Sequence, residues 1–228
     1  MAFLIVLVVI GAATAVAVAF GTDMDGSKTF ISTAADQQSL MAFAGNALVI
    51  AGLFGAIAVA REYGHGTVVL TFLTTPRRTR AVVAQLAAAF VAGSVLGFAG
   101  AGVSAVSVAA GLTATDFGFM VPAADLGQVL AASTLAGGAG AVLGAGVGAF
   151  VRNTGGAVTG TILLLVILPP LAVQMVTETA SWIPSTISNV ASGIDNTVSA
   201  GAAIVAMLVW AVVPAAIGLA AVNRRDVV

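Results

Sequence analysis

The side chains that could carry out chemistry are few in this chain, and they concentrate in residues 61–80, REYGHGTVVLTFLTTPRRTR. Glu62 and the chain's single histidine, His65, lie there. Of the 8 Lys and Arg residues in the chain, the same stretch holds Arg61, Arg77, Arg78 and Arg80. Such a set could in principle serve hydrolysis, metal binding or the binding of anions.

Spacing and composition argue against an enzyme. A Ser-His-Asp site would depend on His65, but most of the acids lie in other loops. One His without any Cys gives no plausible zinc site. Residues 21–29 superficially resemble a phosphate-binding loop, yet Ser27 separates its glycine from its lysine and no strand precedes it. We therefore expect no catalytic residue, metal or cofactor in this chain.

The composition is that of an integral membrane protein. Hydrophobic residues make up 60% of the chain and charged residues 7%, whereas about a quarter of the residues of a soluble domain are charged. So few charges cannot cover the surface of a soluble protein. The lipid bilayer is therefore expected to surround most of the exterior.

A helix needs about 20 apolar residues to cross the hydrocarbon core, and it satisfies its own backbone groups there. Six segments reach that length, and none shows the alternating pattern of a β-barrel strand. We predict an all-α integral membrane protein with one transmembrane domain over residues 1–228. Its six transmembrane helices are placed near 2–20, 40–60, 81–111, 126–150, 157–176 and 199–222.

The distribution of charge predicts the orientation of these helices. Short loops rich in Lys and Arg stay cytoplasmic. Every basic residue except Lys28 falls in one of three alternate regions, 61–80, 151–156 and the C-terminal tail, whereas most acids fall in the other loops. Both termini are therefore expected in the cytoplasm. No basic segment precedes the first helix, so we expect a retained helix rather than a signal peptide.

The sequence also predicts the structure of one polar external segment and the packing of two glycine-rich helices. Residues 178–198 are too polar to span, and they should form short helices at the outer interface with Trp182 at headgroup level. Glycines recur four residues apart in the third and fourth helices, which lets helices approach closely. Either packing within the bundle or a contact between subunits would explain Gly93, Gly97, Gly140, Gly144 and Gly148.

Ion-coupled carriers usually keep ionisable side chains within the membrane. The predicted spans have them only near their ends. The polar residues inside are isolated, and such residues more often bond a neighbouring helix than a substrate: Thr14, Asn46, Thr159, Thr161 and Gln174. If the chain transports a substrate, we expect the energy to come from elsewhere.

Membrane topology alone accounts for the arginines of the 61–80 loop, because basic residues contact anionic headgroups. The polar, turn-prone run that precedes them needs another explanation. Glu62-Tyr63-x-His65-Gly66-Thr67, followed by Thr74-x-Pro76-Arg77-Arg78-x-Arg80, resembles the first cytoplasmic loop of ABC-2-type permeases, the membrane subunits of ATP-binding-cassette exporters. Further similar motifs follow in order at Gly148–Thr154, Leu168–Pro170, Trp182–Ser185 and Asn223–Asp226.

The resemblance implies a coupling helix in the 61–80 loop that docks onto a separate ATPase subunit, which would bind ATP and Mg. Its contact residues would be Arg61, Glu62, Tyr63, His65, Gly66, Thr67, Pro76, Arg77, Arg78 and Arg80. It also implies a second permease copy, identical or related, in the inner (plasma) membrane of a bacterial cell. Nucleic acid is not an expected partner.

The same resemblance implies a pathway between the second and fifth helices of the two copies, which suits a hydrophobic or amphipathic substrate such as a drug or lipid. Candidate pathway residues are Asn46, Phe54, Thr159, Leu163 and Gln174. The sequence departs from the family in lacking an amphipathic helix before the first span, and in having Gly64 and Gln85 where basic residues are expected. An ion-coupled carrier and a non-transporting scaffold or immunity subunit remain as alternatives.

Overall fold

The computed structural model describes residues 2–22, 26, 28–44, 47–64 and 78–224, and the regular structure of these residues is entirely helical. A π-helical turn occupies Leu163–Ile167, and 3-10 turns occupy Thr29–Ile31 and Thr177–Trp182. The α-helices are α1 (Ala2–Phe20), α2 (Ala34–Ala44), α3 (Leu48–Gly64), α4 (Arg78–Leu112), α5 (Ala123–Val151), α6 (Thr154–Ile162), α7 (Leu168–Met175), α8 (Pro184–Ala191) and α9 (Ala200–Arg224).

Within the described part of the chain, five segments are long and apolar enough to cross a membrane: Ala34–Gly64, Thr79–Leu112, Ala123–Val151, Thr154–Met175 and Ala200–Arg224. The prediction of an α-helical, multi-pass membrane protein is thereby confirmed. Helix α1 coincides with the first predicted span. That it crosses the membrane as a sixth span, with both termini in the cytoplasm, stays a prediction.

The second predicted span, 40–60, differs from the structure at both ends. It comprises α2 and α3, and Ala47 between them is not helical. Helix α2 begins earlier than predicted because Thr33 and Asp36 cap it reciprocally: the Thr33 N–H donates to Asp36 Oδ2 at 3.0 Å, and the Asp36 N–H donates to Thr33 Oγ1 at 3.2 Å. Helix α3 continues to Gly64, so the predicted loop 61–80 starts inside a helix.

The segment Thr154–Met175, which corresponds to the fifth predicted span and is called the fifth span below, has a local irregularity with an identifiable cause. Pro169 and Pro170 lack the N–H groups that would bond the carbonyls of Leu165 and Val166 in a regular helix. The backbone just before them widens into the π-helical turn, where the Leu168 N–H donates to the carbonyl of Leu163. In the segment 178–198 the structure has the 3-10 turn at Thr177–Trp182 and α8. That these short helices lie at the outer interface stays a prediction.

Helix α5 lies at the centre of the bundle and packs against α3, α4 and α9. In the apolar 18-residue stretch of α5 67% of the residues are buried, compared with 28% in the corresponding stretches of α4 and α9. Backbone contact with α3 is possible because the facing residues are glycines. A Cβ at Gly144 would collide with the carbonyl oxygen of Gly52, and a Cβ at Gly55 with that of Ala141.

The glycines of α4 pack against α5 in the same way. A Cβ at Gly93 would collide with the carbonyl of Gly137, and one at Gly97 with that of Ser133. On a third side of α5, a Cβ at Gly146 would lie 2.5 Å from the carbonyl of Pro214 in α9. Of the two interpretations of the glycine pattern, packing within the bundle is the one observed.

The buried side-chain amide of Gln37 stabilises the end of the bundle at which α5 begins. The Gln37 side chain in α2 is fully buried, and its Nε2 donates to the carbonyls of Ile31 at 3.2 Å and Gly118 at 3.0 Å. Its Oε1 accepts from the Met120 N–H at 3.0 Å. Gln38 donates to the Ser192 carbonyl at 2.9 Å. Helix α2 is therefore tied to the α4–α5 connection and to the end of α8.

The glycine contacts make a stability prediction. Gly144→Ala should lower the free energy of unfolding by about 1–3 kcal/mol, because α3 and α5 would have to separate. The matched control is Gly102→Ala in α4, where no atom of the described chain lies within 4 Å of the new Cβ. It should be neutral or stabilising by about 0.5–1 kcal/mol. Unfolding in mixed detergent micelles measures both, and equal stability of the two variants would contradict the packing described.

The hydrogen bonds of Gln37 give a second stability prediction. Gln37→Leu should destabilise the protein by about 1–3 kcal/mol, because the carbonyl of the buried residue Ile31 and the partly buried backbone groups of Gly118 and Met120 lose their partner. Gln128→Leu is the control, since its exposed amide makes one bond, to the Ala191 carbonyl at 3.2 Å. The same unfolding measurement should show a change no larger than about 0.5 kcal/mol for the control.

Candidate functional site

The structure describes part of the predicted coupling region. Arg61, Glu62 and Tyr63 form the last turn of α3, and Arg78 and Arg80 lie in the first turn of α4. The side chains of Arg61 and Arg80 are exposed. The remaining predicted contact residues lie outside the described residues: His65, Gly66, Thr67, Pro76 and Arg77.

Glu62 is bonded to the neighbouring helix. The Gln85 side chain, from the second turn of α4, donates a hydrogen bond through Nε2 to Glu62 Oε2. A hydrogen bond to a charged group is stronger than one between neutral groups. The resemblance to ABC-2-type permeases leads one to expect a basic residue at position 85. In the structure the Gln85 amide supplies the hydrogen-bond donor to Glu62 instead. The ends of α3 and α4 are thus joined beside the 61–80 loop.

Tyr63, the next residue, joins α3 to the end of α5. Its ring packs in a cluster that includes Val59, Val82 and Val222, from three different helices. The Arg152 guanidinium lies over the ring, with Cζ 5.4 Å from the ring centroid. This is the geometry of a cation–π interaction.

The backbone of Arg152 is in an unusual conformation. Its φ of 60° is the only positive φ at a non-glycine residue in the described part of the chain. Its N–H donates to the Gly148 carbonyl at 2.9 Å, which closes α5, and Asn153 Oδ1 accepts from the Gly156 N–H at 2.7 Å, which starts α6. A left-handed residue with a Cβ costs about 1–2 kcal/mol relative to glycine. The interactions of the Arg152 side chain offset that strain.

Arg152 also reaches α9, where its Nη2 donates to the Ala221 carbonyl at 3.5 Å. Together Glu62, Tyr63, Gln85 and Arg152 form what we term the junction cluster, which connects α3, α4, α5 and α9 at one end of the bundle. Three of its buried atoms have no hydrogen-bond partner among the described residues: Tyr63 Oη, Gln85 Oε1 and Arg152 Nε.

The sequence pointed to Glu62 and Tyr63 as candidate contact residues, but not to the side chains that contact them, Gln85 and Arg152. The sequence marks Gln85 only as a departure from the family, and Arg152 only as a basic residue of the 151–156 turn and as part of a motif. The available signal for Arg152 was an arginine, rather than glycine, between a glycine-rich helix and an N-capping Asn. Which helix its side chain contacts depends on tertiary packing and could not be read from spacing.

The candidate pathway residues are less closely grouped. Asn46 lies outside the described residues, and Phe54 in α3 is half-buried. On the fifth span Thr159, Leu163 and Gln174 are all exposed, so they point away from the bundle's interior. The two buried threonines among the described residues bond within their own helices, Thr14 to the Ile10 carbonyl and Thr161 to the Ala157 carbonyl, each at 2.8 Å.

An apolar cleft of about 650 Å³ lies between α5, the fifth span and α9. Helix α5 contributes Gly146, Val147, Phe150 and Val151 to its wall. The fifth span contributes Gly160 and Leu164, and residues of α9 from Val209 to Ile217 complete the lining. Sequence reasoning did not predict this cleft, because it depends on how three helices splay apart.

A comparison with known protein families and with curated proteins found no match for this chain. Its function must therefore be inferred from the helices, the junction cluster and the cleft.

The contact between Arg152 and Tyr63 can be measured by a double-mutant cycle. Arg152→Ala and Tyr63→Leu should show a coupling of about 0.5–2 kcal/mol in the free energy of unfolding, which is the range for a cation–π pair. Tyr63→Phe is the matched control. It should be close to neutral, because the ring makes the contact and the hydroxyl has no partner among the described residues. Strictly additive effects would show that the stacking contributes nothing.

Proposed function

We propose that the chain is an ABC-2-type permease, the membrane-spanning subunit of an ATP-driven exporter. A separate ATPase subunit, with its own ATP and Mg, would dock at the 61–80 loop, and a second permease copy would complete the translocation pathway. The observation that carries this proposal is the position of the junction cluster. Glu62 and Tyr63, at the start of the proposed docking loop, connect the C-terminal end of α3 to α4 and α5 through side-chain contacts.

This connection is what a mechanical coupling requires. A force applied at the end of α3 acts on α4 through Glu62 and Gln85, on α5 through Tyr63 and Arg152, and on α9 through Ala221. The glycine contacts between α3 and α5 leave no compressible side-chain layer between the two backbones. A movement of α3 driven by ATPase closure would therefore carry α5 with it as a rigid unit.

The fifth span supports the placement of the pathway. It packs on α3 at one face, where Thr161 and Leu165 approach Gly52. Its other face is exposed and mixes Thr159 and Gln174 with apolar side chains. A surface of that composition, facing a second copy, would suit a hydrophobic or amphipathic substrate.

The decisive experiment combines co-purification with a substitution. An ATP-binding-cassette subunit should accompany the chain, and Glu62→Ala should lower ATP-dependent transport in vesicles about tenfold or more. That magnitude follows from losing a hydrogen bond to a charged group, worth about 1.5–3 kcal/mol. Glu178→Ala is the control, because Glu178 is exposed in the 3-10 turn at the other end of the fifth span, and it should leave transport unchanged.

The alternatives predict different results. The proposal fails if no nucleotide-binding subunit accompanies the chain and Glu62→Ala leaves transport intact. Transport driven by an ion gradient without ATP would identify an ion-coupled carrier. A complete absence of substrate movement in vesicles, with a correctly inserted chain, would indicate a scaffold or immunity subunit.

A further inference from the structure

The cleft between α5, α6 and α9 lacks the means to hold a polar ligand. Its described lining consists of glycine and apolar side chains, apart from the indole N–H of Trp210. That group is already used, because Trp210 Nε1 donates to the Trp182 carbonyl at 3.0 Å. The volume of about 650 Å³ falls within the range of ligand pockets. The lining therefore fits a hydrocarbon chain.

Positive charge lies at one end of the same cleft. Arg224 follows Ile217 by seven residues on α9, which places it two turns further on the same face, roughly 10 Å beyond the lining. Its side chain is exposed. On α5, Val151 lines the cleft and the next residue is Arg152, whose guanidinium reaches Ala221 on α9. The N-terminal, positive end of the α6 dipole lies at the same level, because α6 begins at Thr154.

We propose that this cleft is a binding site for an anionic phospholipid, with an acyl chain between α5, α6 and α9 and the phosphate at Arg224. The apolar wall would contact the acyl chain, and the basic end would contact the phosphate. An apolar wall alone would accept any lipid, so the arginine end is what selects an anionic headgroup. The site uses neither the 61–80 loop nor Glu62, so it does not depend on the proposed ATPase coupling.

Trp210 provides a direct probe, because it lines the cleft and the chain has only 2 Trp residues. In a Trp182→Phe background Trp210 is the single emitter, and its bond to the backbone carbonyl at residue 182 is retained. The full chain is reconstituted with phosphatidylglycerol or phosphatidylcholine carrying brominated acyl chains, which quench indole fluorescence on contact. Phosphatidylglycerol should compete for the site about fivefold better, as expected for about 1 kcal/mol from one arginine.

Two charge-neutralising variants complete the test. Arg224→Gln should reduce that preference to about one. Arg80→Gln is the matched control, because Arg80 is also exposed but belongs to α4, which contributes no described residue to the cleft lining. It should leave the fivefold preference in place. Equal quenching of the parent by the two lipids would overturn the proposal, and so would an equal loss of preference in both variants.

A third variant separates this proposal from the proposed function. Glu62→Ala should lower ATP-dependent transport about tenfold or more and leave the lipid preference at Trp210 unchanged. If the lipid preference is absent while Glu62→Ala still impairs transport, the lipid site alone is wrong. If the preference is present while transport is insensitive to Glu62, the coupling proposal alone is wrong.

Discussion

The close approach of helix backbones to α5 is the constraint on which the rest of the structure depends. In a bilayer the lipid tails are as apolar as the helices, so association relies on close packing rather than on the hydrophobic effect. Glycines at 52, 55, 140 and 144 provide it between α3 and α5, and Gly93 and Gly97 provide it between α4 and α5. The bundle therefore has a central helix that touches three neighbours almost backbone to backbone.

The polar contacts complete this arrangement at its two ends. At one end the Gln37 amide satisfies three backbone groups and fixes α2 against the α4–α5 connection. At the other end Arg152 adopts a strained backbone conformation and bridges Tyr63 and Ala221. Strain retained at a residue that connects three helices points to a functional role. In our proposal that role is to pass movement from the docking loop into the bundle.

The junction cluster and the lipid cleft share the end of α5. Arg152 contacts Tyr63 on one side, and its neighbour Val151 lines the cleft on the other. A phospholipid in the cleft would therefore contact the same helix that the proposed coupling movement would displace. This offers a physical route by which membrane composition could influence transport, through contact with α5 and α9 rather than through the ATPase.

The amino-acid sequence by itself determined that the chain is helical and multi-pass. With 60% hydrophobic and 7% charged residues most of the exterior must face lipid, where only helices and closed barrels satisfy the backbone, and no segment has the alternating pattern of a barrel strand. It also placed four of the spans to within a few residues, through hydrophobic length alone. Only the tertiary structure showed that Ala47 before α3 is not helical, that Gln85 bonds Glu62, and that the cleft exists. These depend on which faces of distant helices meet, and a hydrophobic pattern that is nearly uniform around each helix does not specify that.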